Sequence, residues 1–446
     1  MVKFYNSLGK EKQEFKPIAD NQVKMYVCGP TVYDYAHLGN LRTYIFEDIL
    51  RRVLELSGYK ITEVMNITDV GHLTSDEDTG EDKIEKGAAR ENQSVWEIAE
   101  KYTKAFKEDL KELNIETPEI FSKATDHIED QIEFIKKIEE NGFVYKTSDG
   151  IYFDTSKLKD YGKLANLNVE GQLTGTRIEE NKEKKNPADF ALWKFSPTDH
   201  QRQMEWESPW GKGFPGWHIE CSAMSTKYLG EQFDIHTGGV DHLTVHHPNE
   251  IAQSEAANGK IPANYWLHGE FLLEEGGKMA KSKGSFLRLS TLVEKGFEPL
   301  AYRYLALTAH YRSKLNFTWA GIEGAQNTLK SIRKLKDIET KLTTEQKTEY
   351  IQKIKDALND DLDTPKALAI LHQAQDFFLW QEFEPVFALD LEKQAKIPVE
   401  IEQKAKERDE ARKAGDYAKA DELRKEIEAA GFNLEDNSSG FVISKK

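Results

Sequence analysis

Apolar positions near the start of the chain alternate first and then recur at a helical period. Val23, Met25 and Val27 are separated by Lys24 and Tyr26, whereas Leu41, Ile45, Ile49, Val53 and Leu56 follow the spacing of one helix face. The first pattern predicts a strand turned by Gly29-Pro30, and the second a helix stopped near Gly58. Ile61 to Ile67 gives another strand, so residues 23 to 67 read as a strand, crossover helix and strand of a parallel, nucleotide-binding sheet. From about Thr74 to Asp199 the texture changes. Charged, helix-rich stretches such as Val95 to Leu113 are interrupted by Tyr145 to Phe153 and by the polar run Glu179 to Lys185, the pattern of an insertion. Strand-like sequence returns at Phe233 to His236, followed by a Gly238-Gly239 turn and a helix from His246 to Ala257, and again at Tyr265 to Leu273. After Pro299 the pattern is helical almost throughout. From Ile397 dense alternating charge, broken at Gly415 and Gly431, predicts an antiparallel helix pair in a C-terminal tail that is helical to its end.

Length adds that 446 residues suffice for several domains with their own cores. Met1 to Ser7 lacks an apolar signal segment and no apolar run approaches bilayer length, so a soluble, cytoplasmic protein without membrane partners is expected. A net charge of -16 argues against broad, nonspecific nucleic-acid binding. It leaves room for a local basic face that reads a structured RNA.

The candidate chemistry is concentrated. The chain has 2 cysteines. Cys28 lies in Val27-Cys28-Gly29-Pro30, Cys221 closes Gly216-Trp217-His218-Ile219-Glu220-Cys221, and His246-His247-Pro248-Asn249-Glu250 puts His246 and Glu250 on one face of a helix. Two thiolates, an imidazole and a carboxylate suit zinc, and their wide separation means that the fold must assemble the site. The alternatives are two small buried apolar cysteines and a solvated histidine face. A phosphate could be met by His37-Leu38-Gly39-Asn40, between the first strand and its helix, and by Lys278-Met279-Ala280-Lys281-Ser282 in a glycine-flanked loop. Each of those short strings also arises by chance.

Taken together and in this order, the two strings resemble the His-Ile-Gly-His and Lys-Met-Ser-Lys-Ser signatures of class I aminoacyl-tRNA synthetases. Within that class the chain resembles the cysteinyl-tRNA synthetases. The similarity runs through Cys28-Gly29-Pro30-Thr31-Val32-Tyr33-Asp34, Asn66-Ile67-Thr68-Asp69, Asn186 to Phe190, Gly216 to Met224, Asp234-Ile235-His236, His246 to Ser254, His310-Tyr311-Arg312-Ser313 and Asp360 to Pro365. Two signature positions depart from the family: Asn40 replaces the second histidine and cannot carry positive charge, and Ala280 replaces a serine while both lysines remain. Gly71-His72 stands where the family often has two aspartates.

The resemblance implies a Rossmann-like catalytic domain in two halves, 1–73 and 200–298, split by a connective insertion at 74–199. An all-α tRNA-binding module follows, with a bundle at 299–396 and a hairpin and tail at 397–446. It implies ligation of cysteine to tRNA(Cys) through cysteinyl-adenylate by a monomer, with ATP and Mg2+ as substrate. One Zn2+ per chain would be held by Cys28, Cys221, His246 and Glu250. Gly29, Thr68, Trp217 and His236 would surround the amino acid; His37, Gly39, Asn40 and Asp241 would serve the nucleotide; Lys278 and Lys281 would meet the triphosphate. Arg312 and the basic residues between Lys404 and Arg424 would touch tRNA. Two rivals are a related ligase that passes cysteine to a small amine and an inactive tRNA-binding relative.

Overall fold

The computed structural model describes residues 1–70, 83–164, 183–198, 201–274, 277–278, 287–392, 398–437 and 440–445. They form two compact units, Met1–Leu389 and Asp390–Lys446. Among the described residues no helix is long and apolar enough to cross a membrane.

An antiparallel hairpin of β1 (Lys3–Asn6) and β2 (Glu11–Glu14) opens the first unit. The strand, helix and strand expected next are β3 (Gln22–Val27), α1 (Leu38–Leu56) and β4 (Lys60–Ile67), with β3 and β4 parallel and Val27 opposite Met65. Helix α1 buries Leu41, Ile45, Ile49 and Val53, and the chain leaves it through Gly58 at φ +91°, a backbone conformation that suits glycine. Helices α2 (Lys83–Glu91) and α3 (Val95–Glu112) follow, α3 starting at a reciprocal Ser94–Glu97 cap. Strand β5 (Ile120–Lys123) pairs in parallel with β4, so the stretch read as an insertion supplies an edge of the central sheet. Beyond α4 (Ile128–Glu140), strands β6 (Val144–Lys146), β7 (Gly150–Phe153), β8 (Phe190–Phe195) and β9 (Gly213–Pro215) form a separate antiparallel sheet.

The chain then returns through α5 (Ile219–Leu229), β10 (Phe233–Gly239), α6 (His246–Asn258) and β11 (Ala263–Gly269). The central sheet has 5 strands in the order β11-β10-β3-β4-β5, with every pairing between them parallel. Connections leave β3 toward β4 and β10 toward β11, so the order reverses between β3 and β10; the carboxyl ends of these strands flank the crevice where open α/β sheets bind ligands. The apolar core running from Tyr26 and Val64 to Met224 and Trp266 takes in both Cys28 and Cys221.

A small sheet joins β12 (Leu272–Glu274), β13 (Gly277–Lys278) and β14 (Leu315–Phe317). Helices account for most of the rest of the unit: α7 (Leu289–Glu294), α8 (Pro299–Leu307), α9 (Trp319–Lys334), α10 (Thr344–Asn359), α11 (Thr364–Ala374), α12 (Phe377–Glu382) and α13 (Glu384–Phe387). The second unit packs α14 (Val399–Lys413) on α15 (Tyr417–Ala429) as the expected helix pair, and adds an antiparallel hairpin of β15 (Phe432–Asn437) and β16 (Gly440–Lys445).

Three local expectations are corrected. The strand expected over Tyr265 to Leu273 is two strands in different sheets, because the chain is pulled aside where Glu270 N donates to Tyr311 O at 2.7 Å. Gly238-Gly239 is the end of β10 and not a turn; a Cβ on Gly238 would lie 2.4 Å from His242 Nδ1, so Gly238 makes room for packed histidines. The tail from Phe432 is a strand, since Phe432 and Leu434 alternate inward against Ile401 and Ile427 at the period of a strand.

Candidate active site

Cys28 follows β3, Cys221 lies in the first turn of α5, and His246 and Glu250 sit one turn apart on α6. One strand end and two helix starts converge so that one ligand atom from each of the four residues lies within 4.8 Å of all the others. All four residues are buried. Cys28, His236, His247 and Glu250 form an overlapping group of the same kind.

The surroundings are a nest of imidazoles. His236 Nε2 is 2.8 Å from Glu250 Oε2, and His218 Nδ1 is 2.8 Å from His246 Nδ1. His247 places Nε2 3.4 Å from Cys28 Sγ while its Nδ1 meets His268 Nε2 at 2.8 Å, and His268 Nδ1 meets Ser7 Oγ at 2.8 Å. His218, His247, His268 and Ser7 carry no signal of this role in the sequence. His218 and His247 lie inside the motifs quoted there, but a histidine beside a candidate ligand does not reveal which way it faces. His236, expected beside the amino acid, has Nε2 directed at the Glu250 carboxylate, where it orients a candidate ligand.

The donor set fits a divalent metal. His246 Nε2 and Glu250 Oε1 are 3.1 Å apart, and among the described residues Oε1 accepts no hydrogen bond, which leaves a buried carboxylate oxygen suited to a cation. Burial pushes the Cys28 thiol well above its ordinary range, aided by its hydrogen bond to Cys221 and the nearby Cys221 and Glu250 charges. For Cys221 the hydrogen bond from Cys28 pulls downward, but burial and the Glu250 and Glu220 charges leave its thiol raised. Burial, reinforced by neighbouring imidazoles, holds His247 and His268 well below the usual histidine range, and therefore neutral. A cation entering such a site would draw protons off both thiols.

Beside the cluster runs a second polar line. Gly29 N donates to Asn66 Oδ1 at 2.8 Å, Asn66 Nδ2 to Thr68 Oγ1 at 3.0 Å, and Thr68 Oγ1 to Glu220 Oε2 at 2.8 Å. Gly29 is required for this closeness, because a Cβ there would lie 1.7 Å from Asn66 O. The Trp217 ring stands 4.6 Å from that of His246, centroid to centroid, and so walls the same region.

At the start of α1, His37 Nδ1 accepts from Asn40 N at 3.1 Å and Asn40 Oδ1 accepts from His37 N at 3.3 Å, a reciprocal cap made by the two polar residues of the first signature. Gly39 lets the His37 ring fold back, since a Cβ there would be 2.9 Å from it. No acidic residue occupies the first turn, which leaves the positive end of the helix dipole for an anion. Burial lowers the His37 pKa against the opposing pull of Asp241, which sits exposed in the turn after β10. Leu38 N donates to Leu287 O at 2.9 Å, so the chain just beyond the second signature meets the start of α1. Lys281 lies outside the described residues; Lys278 is described only as backbone in β13, paired with Leu273.

Comparison with known proteins matches residues 14–327 to the family of tRNA synthetases class I (C) catalytic domain. The cysteine–tRNA ligase 1 of Burkholderia lata is 51% identical over 449 residues, covering 98% of this chain and 95% of the relative. The cysteine–tRNA ligase of Treponema denticola is 45% identical over 482 residues, covering 98% of each, and that of Thermococcus onnurineus 41% identical over 484 residues, covering 99% and 98%. Among solved structures, methionyl-tRNA synthetase of Mycobacterium tuberculosis bound by methionyl-adenylate is similar in fold, with a TM-score of 0.58 at 13% identity over 84% of this chain and 86% of that one.

Proposed function

The chain belongs to the cysteine–tRNA ligases of the class I aminoacyl-tRNA synthetases, and from that premise we infer a two-step reaction in which cysteine and ATP give cysteinyl-adenylate and cysteine then passes to tRNA(Cys). The carrying observation is the buried convergence of Cys28, Cys221, His246 and Glu250, a donor set suited to one zinc ion. Zinc held there supplies a soft Lewis acid for the substrate thiolate, a partner that the hydroxyl of serine cannot match as well.

Around it the protein positions and shields. Gly29 and Thr68 border the amino acid, Trp217 walls it, and His236 holds Glu250 in place. The cysteine carboxylate attacks the α-phosphate of magnesium-bound ATP, forming the mixed anhydride and expelling pyrophosphate. In such displacements positioning and charge stabilisation dominate. His37, Gly39 and Asn40 shape the anion site at the start of α1, Asp241 would position the nucleotide or its loop, and Lys278 and Lys281 would neutralise the triphosphate. The terminal adenosine hydroxyl of tRNA then attacks the adenylate carbonyl and releases AMP. The helical region from Pro299 would carry the tRNA body, and a cytoplasmic monomer is the working state proposed.

The test is charging of total tRNA with labelled cysteine or serine, with and without a zinc chelator. Transfer of cysteine alone, lost on chelation, is expected. Pyrophosphate release without any charged tRNA would favour a ligase with a small amine acceptor, and absence of activation an inactive relative.

A further inference from the structure

The line Gly29, Asn66, Thr68, Glu220 has a fixed direction. A backbone N–H can only donate, so Gly29 N obliges Asn66 to turn Oδ1 toward it, and the Asn66 amide nitrogen must then face Thr68. Thr68 Oγ1 accepts that N–H, and its own proton is committed to Glu220 Oε2 at 2.8 Å. A hydroxyl has one proton and two lone pairs. Thr68 is therefore left with one acceptor position and nothing to donate. Asn66, Thr68 and Glu220 are all buried, which shields this polarity from exchange with water.

We propose that Glu220 is a positioning residue that sets the polarity of Thr68, so that Thr68 accepts a proton from the ammonium group of the substrate amino acid and rejects a donor-seeking group in its place. The assignment rests on the cysteine-activating reading above. Its geometry is that of a two-point clamp: Glu220 precedes Cys221 in α5 and Gly29 follows Cys28, so thiol and ammonium of one small molecule are addressed by neighbouring residues of the same two segments. In Glu220→Gln, of the same size, an amide N–H can donate to Thr68 Oγ1. Because the amide can present either its oxygen or its N–H, the hydroxyl proton is no longer held inward, and its outward rotamer opposes the ammonium.

The experiment compares cysteine with two analogues in pyrophosphate exchange. Cysteamine keeps thiol and ammonium but lacks the carboxylate; 3-mercaptopropionate keeps thiol and carboxylate but lacks the ammonium. In Glu220→Gln the KM for cysteine and the inhibition constant of cysteamine should rise together, roughly ten- to hundredfold. Inhibition by 3-mercaptopropionate, the KM for ATP and zinc content should stay within about twofold. Thr68→Val, which removes the acceptor and leaves the carboxylate, should show the same selective loss, and the double variant should be no worse than the weaker single one. Equal weakening of both analogues, or of neither, in these variants overturns the proposal, and if Glu220→Gln does not fold, Glu220→Asp, which draws the carboxylate back from Thr68, is judged by the same criterion. Wild-type protein that fails to activate cysteine would instead sink the parent reading.

Discussion

Arg312 grips Asp361: Nε and a terminal guanidinium nitrogen donate to Oδ2 at 2.9 and 2.5 Å, while Tyr5 N and Tyr311 OH donate to Oδ1 at 2.8 and 2.7 Å. Asp361 is fully buried and adopts a left-handed backbone at φ +66°, as does Leu362 at +57°. A strained turn persists where its surroundings over-determine it, and here one carboxylate joins the N-terminal hairpin, the His310–Ser313 turn and the helical region. Arg312, expected to touch tRNA, is partly exposed and also holds this carboxylate. Asp361→Asn should lower the stability of the first unit by about 2–3 kcal/mol, read as a lower urea midpoint, because it leaves the cation without its charge partner. An unchanged midpoint would show that the turn holds without the ion pair.

Cys221→Ser should lose zinc and selectivity together. Metal content measured after gel filtration should fall well below wild type, and the preference for cysteine over serine in pyrophosphate exchange should drop by about a hundredfold, the span separating a built polar or metal contact from shape alone. ATP binding, which does not involve this residue, should persist. Full metal content with full selectivity would remove Cys221 from the site.

Asn40→Asp separates capping from catalysis. An aspartate can still accept from His37 N, and its charge suits the positive helix end, so Tm should hold or rise slightly. The same charge repels a triphosphate, so adenylate formation should fall by more than about tenfold. A loss of Tm with normal activation would mean that this side chain only caps α1.

Asp109 on α3 predicts a pH dependence of stability. Burial, with Glu108 and Glu112 adding repulsion, raises its carboxyl to about 7. In the unfolded chain an aspartate titrates near about 4. Between those values the folded protein binds a proton that the unfolded chain releases, so stability falls as pH rises through the window and is fully present below it. Asp109→Asn should match wild type near the acid end and exceed it by roughly 1–2 kcal/mol at pH about 8, after discounting for solvent screening. Parallel stability curves across this range would contradict the assignment.

What the sequence discloses follows residue chemistry and period. The helical recurrence of Leu41, Ile45, Ile49 and Val53 gives α1, and the rarity of cysteine makes Cys28 and Cys221 stand out. Adjacent identical residues defeat the same reading. His246 and His247 look alike in sequence, yet one turn of helix pairs the first with Glu250 while the second meets Cys28 from another side. Glu220 gave no signal because a buried carboxylate acquires meaning only from its partner, and Thr68 is 152 residues away. The final hairpin hid behind polar residues: Asn433, Glu435 and Asp436 around Leu434 masked a two-residue alternation that only packing against Ile401 and Ile427 exposes.

Because the four thiol, imidazole and carboxylate groups are drawn from positions 28, 221, 246 and 250, the nascent chain cannot complete the cluster until more than half of it has been synthesised. The first cysteine must wait through the whole intervening segment, and closure of the cluster reports that β3 has found β10. An ion bound there would act as a latch on a long-range strand pairing, set late in folding and holding together two halves that translation delivers far apart in time.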